Sequence, residues 1–100
     1  MIFLTQLVYV KQNEEKKFLQ FEEVALPLIP KYNGKLLLRI RPDEKEIIEC
    51  TIEAPYEIHL IQFPSESDLK NFMKDPEREK FLHMKKQSVR SVMLIKGSLF

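Results

Sequence analysis

"YEIHLIQFPSESDLKNF", residues 56–72, places a strand directly before a helix start, and its reading sets the fold. From Tyr56 to Phe63 the residues suit a strand, with Ile58 and Leu60 opposing Ile61 and Phe63, so both faces are apolar. His59 breaks this run on the side of Glu57, Ile61 and Phe63. Ser65 then stands three residues before Asp68, the spacing of a capping box, and Leu69, Phe72 and Met73 follow as the apolar side of a helix.

The flanking sequence alternates in the same way. Upstream, "IFLTQLVYV" (2–10) is a strand with Ile2, Leu4, Val8 and Val10 on one side and Phe3, Leu7 and Tyr9 on the other. "QNEEKKFLQFEEVALPLIPKYNG" (12–34) is an amphipathic helix. Asn13 is its expected cap, Glu14 and Glu15 suit its positive start, and Phe18, Phe21, Ala25 and Leu28 are at helical spacing. Pro27 predicts a kink or an early end and Pro30 a stop. "KLLLRIRP" (35–42) is a second strand, with Leu36, Leu38 and Ile40 opposite Lys35, Leu37, Arg39 and Arg41. After a polar turn, "IIECTIEAP" (47–55) alternates again and reads as its hairpin partner. Downstream, Asp75 and Pro76 restart a helix that carries Phe81 and Leu82, and "SVRSVMLIKG" (88–97) closes the chain as a strand.

Strand, helix, strand, short strand, strand, helix, strand is the ferredoxin-like α+β pattern, an antiparallel sheet with two helices on one face. Such a sheet ordinarily leaves its other face polar. Here the strands are apolar on both sides, and two helices cover only one. The expected cover for the second is another copy of the chain, giving a homodimer in which the sheets form a dimeric α/β barrel.

Composition limits the function. The 100 residues, 44% hydrophobic, form one domain over 1–100. A formal charge of +1 gives no pull toward nucleic acid or an anionic membrane. The start "MIFLTQLVYVK" lacks a basic signal region, and no run of about 18 apolar residues occurs. Cys50 is the only cysteine. A cytoplasmic protein with no internal disulfide is expected, partnered by itself and by a small molecule rather than by nucleic acid or membrane.

"YEIHLIQFPSESDLKNFMKDPEREKFL" and "SVRSVMLIKG", with "FEEVALPLIPKYNGKLLLRI", resemble a family of small uncharacterised bacterial proteins in the dimeric α/β-barrel superfamily. The resemblance covers most of the chain and implies the fold and the homodimer, but no reaction. The superfamily includes cofactor-independent monooxygenases, haem-degrading enzymes, isomerases and proteins without known chemistry. This chain has no Trp and so lacks the tryptophan of the haem-degrading branch.

His59 is the candidate catalytic residue, a proton carrier whose ordinary pKa suits acid–base work. The alternative is a histidine hydrogen-bonded at the surface between sheets. Arg39 is a candidate ligand-binding residue for a carboxylate or enolate; otherwise it and Arg41 make intersubunit ion pairs with Glu49, Glu53 or Glu57. Gln6 and Tyr9 are candidates to orient a ligand. Cys50 alternates with Ile48 and Ile52 like a packed hydrophobe, and His83 with Lys80, Lys85 and Lys86 reads as a solvated basic face. Two histidines on separate elements and one cysteine give no metal-ligand spacing, and Gly34 and Gly97 cannot form a phosphate loop, so neither metal nor cofactor is expected. The function read from the sequence is binding of, or modest acid–base chemistry on, a small organic molecule. The alternatives are a non-catalytic interaction protein without a pocket, and a cofactor-independent monooxygenase or isomerase-like enzyme.

Overall fold

The computed structural model describes residues 1–98. Strands β1 (Ile2–Val10), β2 (Lys35–Ile40), β3 (Glu57–Phe63) and β4 (Val89–Gly97) form one antiparallel sheet in the order β2-β3-β1-β4. Helices α1 (Glu15–Ala25), α2 (Glu66–Met73), α3 (Pro76–Lys80) and α4 (Leu82–Ser88) complete the ferredoxin-like α+β arrangement. No helix among the described residues is long and apolar enough to cross a membrane.

The helical layer is more broken than two helices. Asn13 does not cap α1: it adopts a left-handed backbone (φ 68°), and Glu14 stands at the cap without a side-chain hydrogen bond. Pro27 has no amide to continue the α-helical ladder, and the chain changes at Leu26 to a 3₁₀ helix that runs through Pro30 to Tyr32. Ser65 does cap α2, its hydroxyl accepting from the Asp68 amide at 3.1 Å. Asp75 caps α3, accepting from the amides of Glu77 at 2.8 Å and Arg78 at 3.1 Å, with Pro76 in the first turn. Lys31 and Tyr32 also donate to the Asp75 carboxylate, which ties α3 to the 3₁₀ segment.

Ile2, Leu4, Ile29, Ile61, Phe63 and Phe72 form the core between sheet and helices. Gly34 is required there, since a Cβ would lie 2.7 Å from both Ile29 Cγ2 and Phe63 Cε1. This core fills one part of the interlayer space. The remainder, under α1 and beside β4, is open.

Two strand expectations are corrected. Residues 47–55 form no strand: after a short 3₁₀ turn at Glu44–Glu46 the chain runs irregularly to β3. The hairpin partner of β2 is β3 itself, and Ile48, Cys50 and Ile52 of "IIECTIEAP" are exposed rather than packed. In β2 a bulge at Leu37 shifts the register between Leu36 and Leu38. Leu36 therefore pairs with Ile61 and Arg39 with His59, while Leu38 and Ile40 pair with Leu60 and Ile58. Cross-strand partners share a face, so the bulge separates Leu36 from Leu38 and turns Arg39 to the helix side.

The helix-free face keeps its apolar character. Leu38, Ile40, Met93 and Ile95 are exposed there, at 42% to 52% of their surface, beside half-buried Phe3, Leu7, Ile58 and Leu60.

Candidate functional site

β3 has the burial rhythm of a strand with one face against the helices: Glu57, His59, Ile61 and Phe63 are buried and the intervening residues are half-buried. Two of the four inward positions are polar, and β1 adds a third, because Gln6 pairs with His59. α1 supplies the fourth. Phe18, Phe21, Glu22 and Ala25 recur at the i, i+3, i+4, i+7 spacing of one helix face, and all four are buried. A glutamate thus occupies an apolar-stripe position directly above the histidine.

These groups form a single cluster. His59 Nδ1 lies 3.2 Å from Gln6 Oε1, and its Nε2 lies 2.5 Å from Glu57 Oε2 and 2.9 Å from Glu22 Oε2. Arg39 donates from Nη2 to Glu22 Oε1 at 2.9 Å and from Nε to Glu57 Oε1 at 3.2 Å, and Arg41 Nε reaches Glu57 Oε1 at 3.0 Å. One N–H serves one acceptor well, and the Nε2 proton goes to the nearer carboxylate, that of Glu57. Glu22 Oε2 is left in range of the imidazole but without an aligned donor, a buried oxygen with no hydrogen bond.

The charges follow from this geometry. Burial alone would lower the His59 pKa from 6.5, but the Glu22 and Glu57 carboxylates held against Nε2 outweigh it and raise it to about 9. His59 is an imidazolium at neutral pH. Burial would raise Glu57, yet the hydrogen bond from His59 and the charges of His59 and Arg39 hold it at about 2. Glu22 moves the other way. Burial lifts its pKa, the nearby His59 opposes this, and the neighbouring Glu57 carboxylate adds to it, leaving a net rise. The surroundings favour the anion at Glu57 and disfavour it at Glu22.

The ligand atoms of Glu22, Glu57 and His59 all lie within 4.8 Å of one another, a spacing that would admit a metal ion. An ion there would have to displace the His59 proton and compete with the arginines for the carboxylates.

A cavity of about 380 Å³ adjoins the cluster, within the range of small-molecule sites. Gln6, Glu22 and His59 line it on one side, and Phe18, Phe21 and Val92 are among its apolar walls. Of the residues singled out from sequence, the structure brings Gln6, Arg39 and His59 together. Arg39 sits behind Glu22 and does not line the cavity. Its carboxylate partners are Glu22 and Glu57 of its own chain, where Glu49, Glu53 or Glu57 across subunits was the expectation. Tyr9 stands apart, donating to the Glu53 carbonyl at 2.9 Å, with Arg90 over its ring. The sequence reading missed Glu22, whose signal was a charge in the helix's apolar stripe. It also took Lys85 for part of a solvated face, whereas that side chain is half-buried and lines the cavity.

No family model matches the chain, and no curated protein does. Solved structures do. A protein of unknown function from Rhodopseudomonas palustris aligns with a TM-score of 0.83 at 14% identity, over 99% of this chain and 82% of its own. A dabb family protein with a ferredoxin-like fold from Mesorhizobium loti aligns at 0.72 and 17% identity, over 99% and 96% of the two chains. A dimeric ferredoxin-like protein of unknown function from a Jannaschia species aligns at 0.72 and 12% identity, over 98% of each. At such identities the likeness carries the fold and no chemistry. The chain has the ferredoxin-like α+β fold of these uncharacterised bacterial proteins.

Proposed function

We propose that this protein binds a small, largely apolar organic molecule in the cavity between sheet and helices and moves a proton on it through Glu22. The observation that carries this reading is Glu22 Oε2, a buried carboxyl oxygen without a hydrogen bond at the wall of a cavity. A carboxyl whose pKa is raised by burial takes a proton from a substrate and returns it, as an isomerase-like reaction requires. His59 and Arg39 are positioning residues here: the first holds its charge beside Glu22, the second fixes Glu22 Oε1. Gln6, which lines the cavity, orients the ligand, and Tyr9 has no part in it.

The protein works, on this reading, as a homodimer in the cytoplasm. The exposed apolar residues of the helix-free face support pairing with a second copy, as does the dimeric Jannaschia protein of the same fold. A free, exposed Cys50 fits a reducing compartment.

The test is a thermal-shift screen of small ketones and carboxylates, followed by NMR in deuterated water for exchange of protons next to their carbonyl groups. Stabilisation together with exchange that Glu22→Gln abolishes while binding persists is the expected result. Absence of any stabilising compound, or equal exchange in the variant, would remove the proposal. One observation favours a second reading, a non-catalytic interaction protein: both ring nitrogens of His59 face protein groups. That reading predicts no stabilising compound.

A further inference from the structure

The mouth of the cavity holds positive charge that makes no ion pair among the described residues. Arg78 on α3 and Lys85 on α4 line both the cavity and the shallower pocket that opens beside it, along with Met73 and Val89. Arg78 is only 6% exposed. Its guanidinium lies against Phe21 and Phe72, 5.9 and 5.4 Å from the ring centres, and Nη1 donates to the Met73 carbonyl at 3.2 Å. Among the described residues neither Arg78 nor Lys85 has a carboxylate within ion-pair distance, although Glu79 also lines the mouth. Burial and the neighbouring Arg78 charge push the Lys85 ammonium below its usual value, and burial does the same to Arg78 against the more distant charges of Glu79 and Asp75. Two cations held side by side in an apolar wall are costly unless an anion joins them. Elsewhere in the molecule the protein supplies that anion, as Glu57 does for Arg39 and Arg41.

We propose that the cavity takes an amphiphilic organic monocarboxylate, its head seated between Arg78 and Lys85 and its apolar body lying across β1 toward Glu22 and His59. The sheet order supports this placement, since β1 lies between β4, whose Val89, Val92 and Leu94 line one side, and β3, which carries His59. The inference rests on the cavity being a ligand site, and it adds what that ligand is.

Titration calorimetry of the full chain with octanoate and with 1-octanol, at equal ionic strength, separates the two claims. Octanoate is expected to bind about tenfold tighter than octanol, the factor expected for one charge-assisted hydrogen bond. Lys85→Met should lower the preference to what Arg78 alone sustains, and Lys85→Arg should keep most of it. Equal affinity of the wild-type protein for the two compounds overturns the anionic head alone and leaves the cavity standing. Binding of neither overturns both. An unchanged preference in folded Lys85→Met would remove Lys85 from the site and with it the paired-cation seat. The wild-type ratio is read without any variant, so a variant that fails to fold does not shield the proposal.

Discussion

Glu57 holds the buried cluster together, and replacing it with glutamine separates its role from that of Glu22. The Glu57 carboxylate faces Arg39, Arg41 and the His59 imidazolium, and it is fully buried. Glu57→Gln keeps the shape and removes the charge, leaving those cations around Glu22 alone. Breaking a buried pair in this way costs about 3–5 kcal/mol. Glu22→Gln differs, because folding already disfavours the Glu22 charge, and a neutral amide there should cost under about 1 kcal/mol.

The two carboxyls also set the pH dependence through His59, which faces Glu22 and Glu57 on Nε2 and Gln6 on Nδ1, with Arg39 and Arg41 behind the carboxylates. A folded pKa of about 9 against 6.5 is worth about 3 kcal/mol at 1.36 kcal/mol per pH unit. Because the shift is upward, that stability is complete below pH 6.5 and is lost as pH rises through about 9. The Glu57 shift is downward, so its contribution is present above pH 4.5 and is lost as pH falls through about 2. Urea unfolding of wild type should therefore show highest stability near pH 5–6 with a decline on the alkaline side, shallower in Glu57→Gln because His59 returns toward its ordinary pKa. NMR titration of the His59 ring reads the same pKa directly. A wild-type midpoint near 6.5, or Glu22→Gln as destabilising as Glu57→Gln at pH 6, would refute the assignment of the favoured anion to Glu57 and the disfavoured one to Glu22.

Gly34→Ala should destabilise by about 1–3 kcal/mol in the same unfolding assay, since its Cβ meets the wholly buried Ile29 and Phe63. Leu38→Glu on the helix-free face should leave the circular dichroism of the fold intact and shift sedimentation toward a monomer; a variant as large in solution as wild type would count against pairing through that face. Asp75→Ala removes the cap of α3 and the acceptor for Lys31 and Tyr32, and should lower the melting temperature more than Asp68→Ala, which removes only exposed contacts with Ser65 and Asn33. Equal melting temperatures for those two variants would show that the tie between α3 and the 3₁₀ segment contributes nothing.

Strand periodicity and the Ser65 and Asp75 caps were enough to place the four strands in order, to give the α+β class and to group His59 with Glu57, Ile61 and Phe63, because these depend on neighbours a few residues apart; which sheet face that group meets was left open. The same alternation misled at residues 47–55, where the pattern of a strand exists but the chain runs irregularly beyond the sheet and leaves β2 as an edge. Only the tertiary structure could place the bulge at Leu37, which turns Arg39 to the helix side, and only it could bring Glu22 of α1 onto His59 of β3. Whether a charge is solvated, paired or left facing a cavity depends on atoms distant in sequence. Glu22 and Lys85 therefore read as ordinary surface residues until the sheet and helices were stacked, and burial, not composition, gave each its chemistry.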